Sequence, residues 1–454
     1  MSDRIGHTAV VIGAGIGGLS AAAALAPHFS RVVVLERDEL PHTLDPRSGI
    51  PQGRHAHVLL AGGLHALNAL MSGFEHQLAT AGAVRYQEGI DVRVERPGFD
   101  PFPQRDLGWH TYSMSRPLME SVVRQCVGRL PNMSLQPRCT VRALVAGAGG
   151  SSVSAVQFSD GQGDATTLAC DLVVDASGRA EPTLAVLHAM GIPAPRESRI
   201  GIGVHYATAV FEKPASQAEP WKVVSAFPEP KAGSLGALLV PIEGGRWMIS
   251  MGASHGEALP ADKEGFIQAL RCLRNPTIHD AVSGAEMVGK PVRYAFEASV
   301  RRHFNELAVF PRGLIPMGDA ICRVNPLYGQ GMSVAAMQAH GLRRLLDSRA
   351  DRGLNELAAD HFAMTEEVIE APWAVAELDF MYPETSGERP TSFAFTLAYL
   401  RALLQVAARD PQAHHALMSV RHLLKPTSTY REPWLMQQVM AQMASDQPDG
   451  PPVP

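Results

Sequence analysis

The chain has 454 residues, 46% apolar and 19% charged, with a formal net charge of -5. These proportions exclude disordered and fibrous classes and leave room for two or three packed units around sizeable cores. The acidic balance and the lack of any long Lys/Arg run argue against a nucleic-acid partner, since phosphate binding needs a concentrated basic face, and point to a small-molecule site.

In chain order, the N-terminus MSDRIGHTAVVIGAG has no basic region leading into an apolar stretch and a cleavage site, so it is expected to belong to the fold. Residues 8–37, TAVVIGAGIGGLSAAAALAPHFSRVVVLER, give an apolar run at 9–12, an alanine-rich helix and a second strand at 31–35 ending in Glu36 and Arg37. Glycines at 13, 15 and 18 stand where a dinucleotide fold needs a tight turn, a close pyrophosphate and a helix packed on its strand. The helix start offers N–H groups and a positive dipole end to phosphate, and Glu36 is placed to accept hydrogen bonds from an unphosphorylated ribose. FAD and NAD share this fingerprint, and both remain open at this point.

Further along, His55, His57 and His65 have no carboxylate or cysteine at ligand spacing and read as packing or loop residues, so no metal is expected. Residues 138–146, 153–159 and 166–174 read as a β-meander with GAGGSS and DGQGD turns, feeding into Asp175. The five cysteines, at 126, 139, 170, 272 and 322, form no CxxC pair, which suits a reducing cytoplasm and gives no disulfide framework or zinc site. Between about 200 and 300, IGIGVHYATAVF, WKVVSAF, GALLVPI and RWMISMGA predict an antiparallel sheet. The segment GASHG at 252–256 matches a nucleophile elbow in letters only, because Pro260 follows where a helix must start.

A strand at 314–317 then ends in Gly318-Asp319, followed by a loop with Pro326 and Gly329 and a helix from Gly331-Met332. An aspartate at such a strand end can hold ribityl hydroxyls, and a helix start can stabilise negative charge on a reduced flavin. From about 340, helices dominate, with Pro372, Pro383 and Pro390 expected to break them. Residues 393–408 read as an amphipathic helix capped by Thr391 or Ser392 and too short to span a bilayer. The tail SDQPDGPPVP has too little apolar surface to pack.

GAGIGG with Glu36, DLVVDASGR at 171–179 and GDA at 318–320 occur in the order found in FAD-dependent monooxygenases of the para-hydroxybenzoate hydroxylase fold, which the chain resembles. Ala176 stands where that family has a glycine after the aspartate. Within the family, PQGRHAHVLLAGG (51–63), SRPLMESVVR (115–124), GRWMISMGASHGEALP (245–260) and the stretch 310–339 look most like polyether epoxidases of the lasalocid and monensin type.

The resemblance implies an α/β fold: a glutathione-reductase-type FAD-binding Rossmann domain (1–190 and 301–345), an antiparallel-sheet substrate domain (191–300) roofing the flavin, and C-terminal helices (346–454). It implies that Asp319 holds the ribityl chain, that Pro326, Gly329, Gly331 and Met332 run along the ring, that Arg116 and Arg54 reach the flavin, and that Arg37, next to Glu36, belongs to the cofactor-binding set. The implied reaction passes one oxygen from a flavin C4a-hydroperoxide to an olefin of an apolar natural-product intermediate, with no catalytic residue assignable. That electrophile needs no strong base, in keeping with a sequence that has no evident acid/base constellation. Aromatic hydroxylation by the same intermediate and a flavin-dependent reductase or dehydrogenase stay open as alternatives, while a halogenase lacks its WxWxIP segment and an assignable lysine. Electrons are expected from NAD(P)H directly or through a separate flavin reductase.

Overall fold

The computed structural model describes residues 4–446 except 42, 48, 215–218, 350 and 351; most of the polar tail lies outside the described residues. Its first sheet is parallel, in the order Leu314–Pro316, Leu172–Asp175, Gly6–Ile12, Phe29–Leu35 and Met133–Gln136. The central strands are buried on both faces, which is why VVI, VVVL and LVVD read as unbroken apolar runs. Ile12, Asp175 and Pro316 stand in one register, so the glycine loop, the Asp175 turn and the Gly318 turn emerge side by side at the carboxyl edge.

The meander differs from expectation at its third strand. It divides into Ala165–Ala169, which closes a three-stranded antiparallel sheet, and Leu172–Asp175, which joins the parallel one. The cause is Asp171, whose Oδ2 accepts from the backbone N–H of His7 and Thr8 at 2.7 and 2.9 Å and turns the chain beside the first strand.

The second large sheet has eight strands, antiparallel except where Val92–Glu95 runs parallel to Val223–Ala226. Its long strands, Glu197–Glu212 and Met287–Arg302, pair with two register shifts. Side chains alternate across it. Ala207, Ala209, Phe211, Ile249 and Met251 pack beneath Phe266 and Leu270 of the helix Lys263–Arg271. Tyr206, Thr208, Ser250, Gly252 and Tyr294 occupy the other face, toward the loop after Gly318.

The helix Gly331–Asp347 packs on Ile16–Leu25 and Ala61–Leu70, fixing the late loop against the first βαβ unit. Pro372 does not break its helix as expected, but lies inside Leu357–Glu377. Ala371, Pro372 and Trp373 are buried there, and tertiary burial outweighs the lost helical hydrogen bond. Phe393–Arg409 forms, yet neither expected cap acts: Ser392 has φ -82 and ψ 2 rather than an extended backbone, and its hydroxyl makes no cap bond. Among the described residues, no helix is long and apolar enough to cross a membrane.

Candidate functional site

Glycine is required at two positions of the first turn. Gly13 has φ +96 and would place a Cβ 2.8 Å from the Ala176 carbonyl oxygen; a Cβ on Gly18 would strike the Gly13 carbonyl. Gly15 is different: a Cβ there would meet nothing within 4 Å. That space lies at the start of Ile16–Leu25, which has no side-chain cap and no acid in its first turn. Free helix N–H groups facing a cleared approach are what a pyrophosphate needs, so this end fits FAD.

Glu36 is buried and accepts from Ala14 N–H at 2.7 Å and Asp38 N–H at 3.0 Å. It also pairs with Arg47 Nη1 at 2.9 Å. Arg47 Nε donates to Glu120 Oε2 at 3.0 Å, and Arg116 Nε donates to Glu120 Oε1 at 2.8 Å. A chain of four charged groups thus runs from the expected ribose site to Arg116. Burial alone would raise the Glu120 pKa; the Arg116 and Arg47 charges outweigh it and lower it. Glu120 was visible in principle as the i+4 partner of Arg116. Arg47 lies in an irregular loop and gave no sequence signal.

At the other end, Asp319 sits in the turn Gly318–Ala320, with its Oδ1 3.8 Å from where a Cβ of Gly331 would lie. Burial raises its pKa, against the opposing charges of Arg323 and Arg116. Among the described residues, no hydrogen bond is donated to this carboxylate, which leaves its oxygens open to ribityl hydroxyls. Gly329 has φ +67 and lies against Val58, while Ser333 Oγ accepts from Leu60 N–H at 3.0 Å. Pro326–Tyr328 forms a single tight turn capped by the Asn325 side chain, Pro326 is exposed and Met332 is buried.

The structure therefore brings Gly13, Gly15, Gly18 and Glu36 together at one end, and Arg116, Asp319, Pro326, Gly329, Gly331 and Met332 at the other. Arg37 and Arg54 are exposed, and among the described residues neither forms an ion pair or side-chain hydrogen bond, so no contact within the chain fixes their guanidinium groups.

Sequence reasoning missed Asp379, from the turn Leu378–Met381 in the C-terminal region. Its carboxylate accepts from Tyr328 Oη at 2.6 Å and from Asn325 Nδ2 at 3.1 Å, clamping both sides of Pro326-Leu327. Burial raises its pKa to about 6. Its element lies more than fifty residues from the loop, so no local pattern announces it.

On the facing sheet, His55 Nδ1 is 2.7 Å from Thr208 Oγ1, and its ring stands 5.9 and 5.7 Å from those of Tyr206 and Tyr294. Leu327 reaches over Gly252 of the same face, 2.9 Å from where a Cβ would be. Two buried atoms here, Tyr206 Oη and His55 Nε2, have no hydrogen-bond partner in the chain. Burial lowers the His55 pKa to about 4 and raises that of Tyr206. His65 is exposed, and among the described residues no cluster of three His, Cys, Asp or Glu side chains could hold a metal. Burial pushes the Cys322 thiol up to about 12, which makes it inert.

GASHG is no nucleophile elbow, since after the strand Arg246–Ser254 no helix begins before Lys263. A hollow of about 580 Å³ beside it, lined by Gly233, Leu235, Ala253 and His255, opens on the opposite face of the sheet from Tyr206 and plays no part in this site.

The family described as "FAD binding domain" matches residues 7–352. Protein Rv3254 of Mycobacterium tuberculosis is 32% identical over 395 residues, covering 84% of this chain and 82% of that one. Squalene monooxygenase 1,1 of Brassica napus is 32% identical over 170 residues, 37% of this chain and 31% of its own. The solved structure of p-nitrophenol 4-monooxygenase PnpA from Pseudomonas putida DLL-E4 superposes with a TM-score of 0.62 at 18% identity, covering 93% of this chain and 99% of that one.

Proposed function

Because this chain belongs to the FAD binding domain family and is an FAD-dependent monooxygenase, we propose that it inserts one oxygen atom from O2 into a carbon–carbon double bond of an apolar natural-product intermediate. When bound and reduced, FAD supplies the activated oxygen. The protein's task is to hold the cofactor, exclude water and orient the olefin.

The observation that carries this reading is the chemistry of the sheet face opposite the Pro326 turn. It offers Tyr206, Tyr294, Phe296 and Gly252, with Leu327 of the turn resting on Gly252 and His55 neutral at pH 7. A histidine with a pKa near 4 is too weak a base to deprotonate a phenol efficiently, and burial keeps Tyr206 protonated. Epoxidation needs neither. Tyr206 Oη and His55 Nε2 then serve as hydrogen-bonding groups toward the substrate or the transferred oxygen. The partial match to a squalene monooxygenase, named for an apolar polyene, supports the same substrate class.

One observation favours aromatic hydroxylation as a second reading: Asp379, with its pKa near 6, lies within electrostatic reach of Tyr206 and could act as a base. Turnover with ¹⁸O₂ separates the two. A labelled epoxide from an olefin probe supports the first reading, a labelled phenol supports the second, and unlabelled product in every case sinks both in favour of a reductase or dehydrogenase. The electron donor in this reading is NAD(P)H, directly or through a separate flavin reductase. Anaerobic bleaching of the flavin by NADPH alone would support the direct route.

A further inference from the structure

Arg96 and Arg421 both lie against the ring of Phe227, their guanidinium carbons 4.2 and 5.8 Å from its centroid. Among the described residues, neither forms an ion pair or a side-chain hydrogen bond, and Arg96 Nε is buried without a partner. The neighbouring acid, Glu95, makes no ion pair with either: its Oε1 accepts from Arg93 and Thr277, each at 2.6 Å, and its Oε2 is buried without a partner. Two like charges set close together, one of them desolvated, are costly when nothing neutralises them, and the cation–π contacts to Phe227 and Phe102 offset only part of that cost. Burial, reinforced by the Arg421 charge, lowers the Arg96 pKa to about 9.

The register of the sheet shows where this pair points. Tyr206 pairs with Tyr294 and with Gly252, and Gly252 pairs with Gly236. Ala226 pairs with Ala237 and with Glu95. One residue further on, Phe227 and Arg96 therefore continue the row through Gly236, Gly252, Tyr206 and Tyr294. At the spacing of neighbouring strands, Arg96 stands roughly 14 Å along that row from Gly252, where Leu327 of the flavin loop rests. Tyr328, beside Leu327, is raised by burial and by Asp379, and Arg421 acts on it in the opposite sense. The guanidinium pair and the flavin loop thus share one face and one electrostatic field.

We propose that Arg96 and Arg421 bind an oxyanion, carboxylate or phosphate, carried by the substrate, so that the otherwise apolar olefin has one anionic end. The proposal rests on the oxygen-transfer reading for what happens at the double bond, but not for the anion site itself. An oxyanion bound by both would neutralise the pair, and guanidinium groups suit carboxylate and phosphate by their planar donor forks.

The test is binding of geranate, geranyl phosphate and methyl geranate to the FAD-loaded protein, read by calorimetry and by change in flavin absorbance. At least one anionic probe should bind tenfold or more tightly than the ester, and the tighter of the two identifies the headgroup. Arg96→Gln and Arg421→Gln should each weaken the anion about tenfold, leave the ester unchanged and flatten the salt dependence. Arg421→Lys should retain part of the preference. Equal binding of the three probes, binding of none, or equal loss of anion and ester in Arg421→Gln overturns the proposal. Flavin content and circular dichroism establish that each variant is folded, and if Arg96→Gln is not, the half-buried Arg421 carries the test. Intact anion selectivity without oxygenated product would sink the oxygen-transfer reading while leaving this site standing.

Discussion

The two ends of the proposed flavin site are built on opposite principles. At the nucleotide end the chain supplies its own partners: Glu36, Arg47 and Glu120 form a buried sequence of alternating charges, anchored to the glycine loop through Ala14 and leading to Arg116 at the other end. At the ring end, Asp319 receives no hydrogen bond among the described residues and Tyr206 Oη and His55 Nε2 are unmatched, while further along the same sheet face two arginines share one phenyl ring. A self-satisfied end can be rigid before it binds anything. An end with unmatched polar groups takes its final arrangement from what it binds.

The largest expected effect tests the first half of that contrast. Arg47→Met leaves Glu36 and Glu120 buried without their shared cation and should cost about 3–5 kcal/mol of unfolding free energy, measured by denaturant titration. A cost below about 1 kcal/mol would show that the network is dispensable.

The clamp on the flavin loop predicts a pH dependence. Asp379 is raised to about 6, so between pH 4 and 6 the folded protein holds a proton that the unfolded chain has released. Stability must therefore fall as pH rises through that window and level off above it. Relative to Asp379→Asn, which cannot titrate, the native protein should lose on the order of 2–3 kcal/mol between pH 4 and 7. Parallel stability curves for the two proteins would refute the clamp's titration.

Asp319→Ala should weaken FAD binding roughly 30-fold, about 2 kcal/mol, in a fluorescence titration, with little change in the stability of the apoprotein. Unchanged affinity would remove Asp319 from the site. The smallest effect is expected at Arg54: its alanine variant should stay within about 0.5 kcal/mol in stability and about twofold in FAD affinity, as for other exposed side chains. A larger loss would draw Arg54 back to the flavin and blur the contrast.

What the sequence made legible follows from locality. Gly13, Gly15, Gly18 and Glu36 lie within one βαβ unit, and Gly318 to Met332 within one strand, loop and helix, so each carries its context in a short window. Arg47, Asp379, Arg96 and Arg421 matter only through partners on other elements. The misplaced third strand of the meander shows the same limit, because the break at Asp171 is made by N–H groups at residues 7 and 8.

The strand order of the parallel sheet also constrains how the protein can be made. Leu314–Pro316 forms one edge, and Gly331–Asp347 covers the first helix, so the nucleotide-binding unit draws on both ends of a stretch of more than three hundred residues. On the ribosome the glycine loop emerges early, and its edge strand and covering helix emerge only after the long strands of the second sheet, the last of which ends at Arg302. Until then Val10, Val33 and Val173 have no finished core to enter, and the nascent chain must pass through a long interval with its most apolar strands unsheltered.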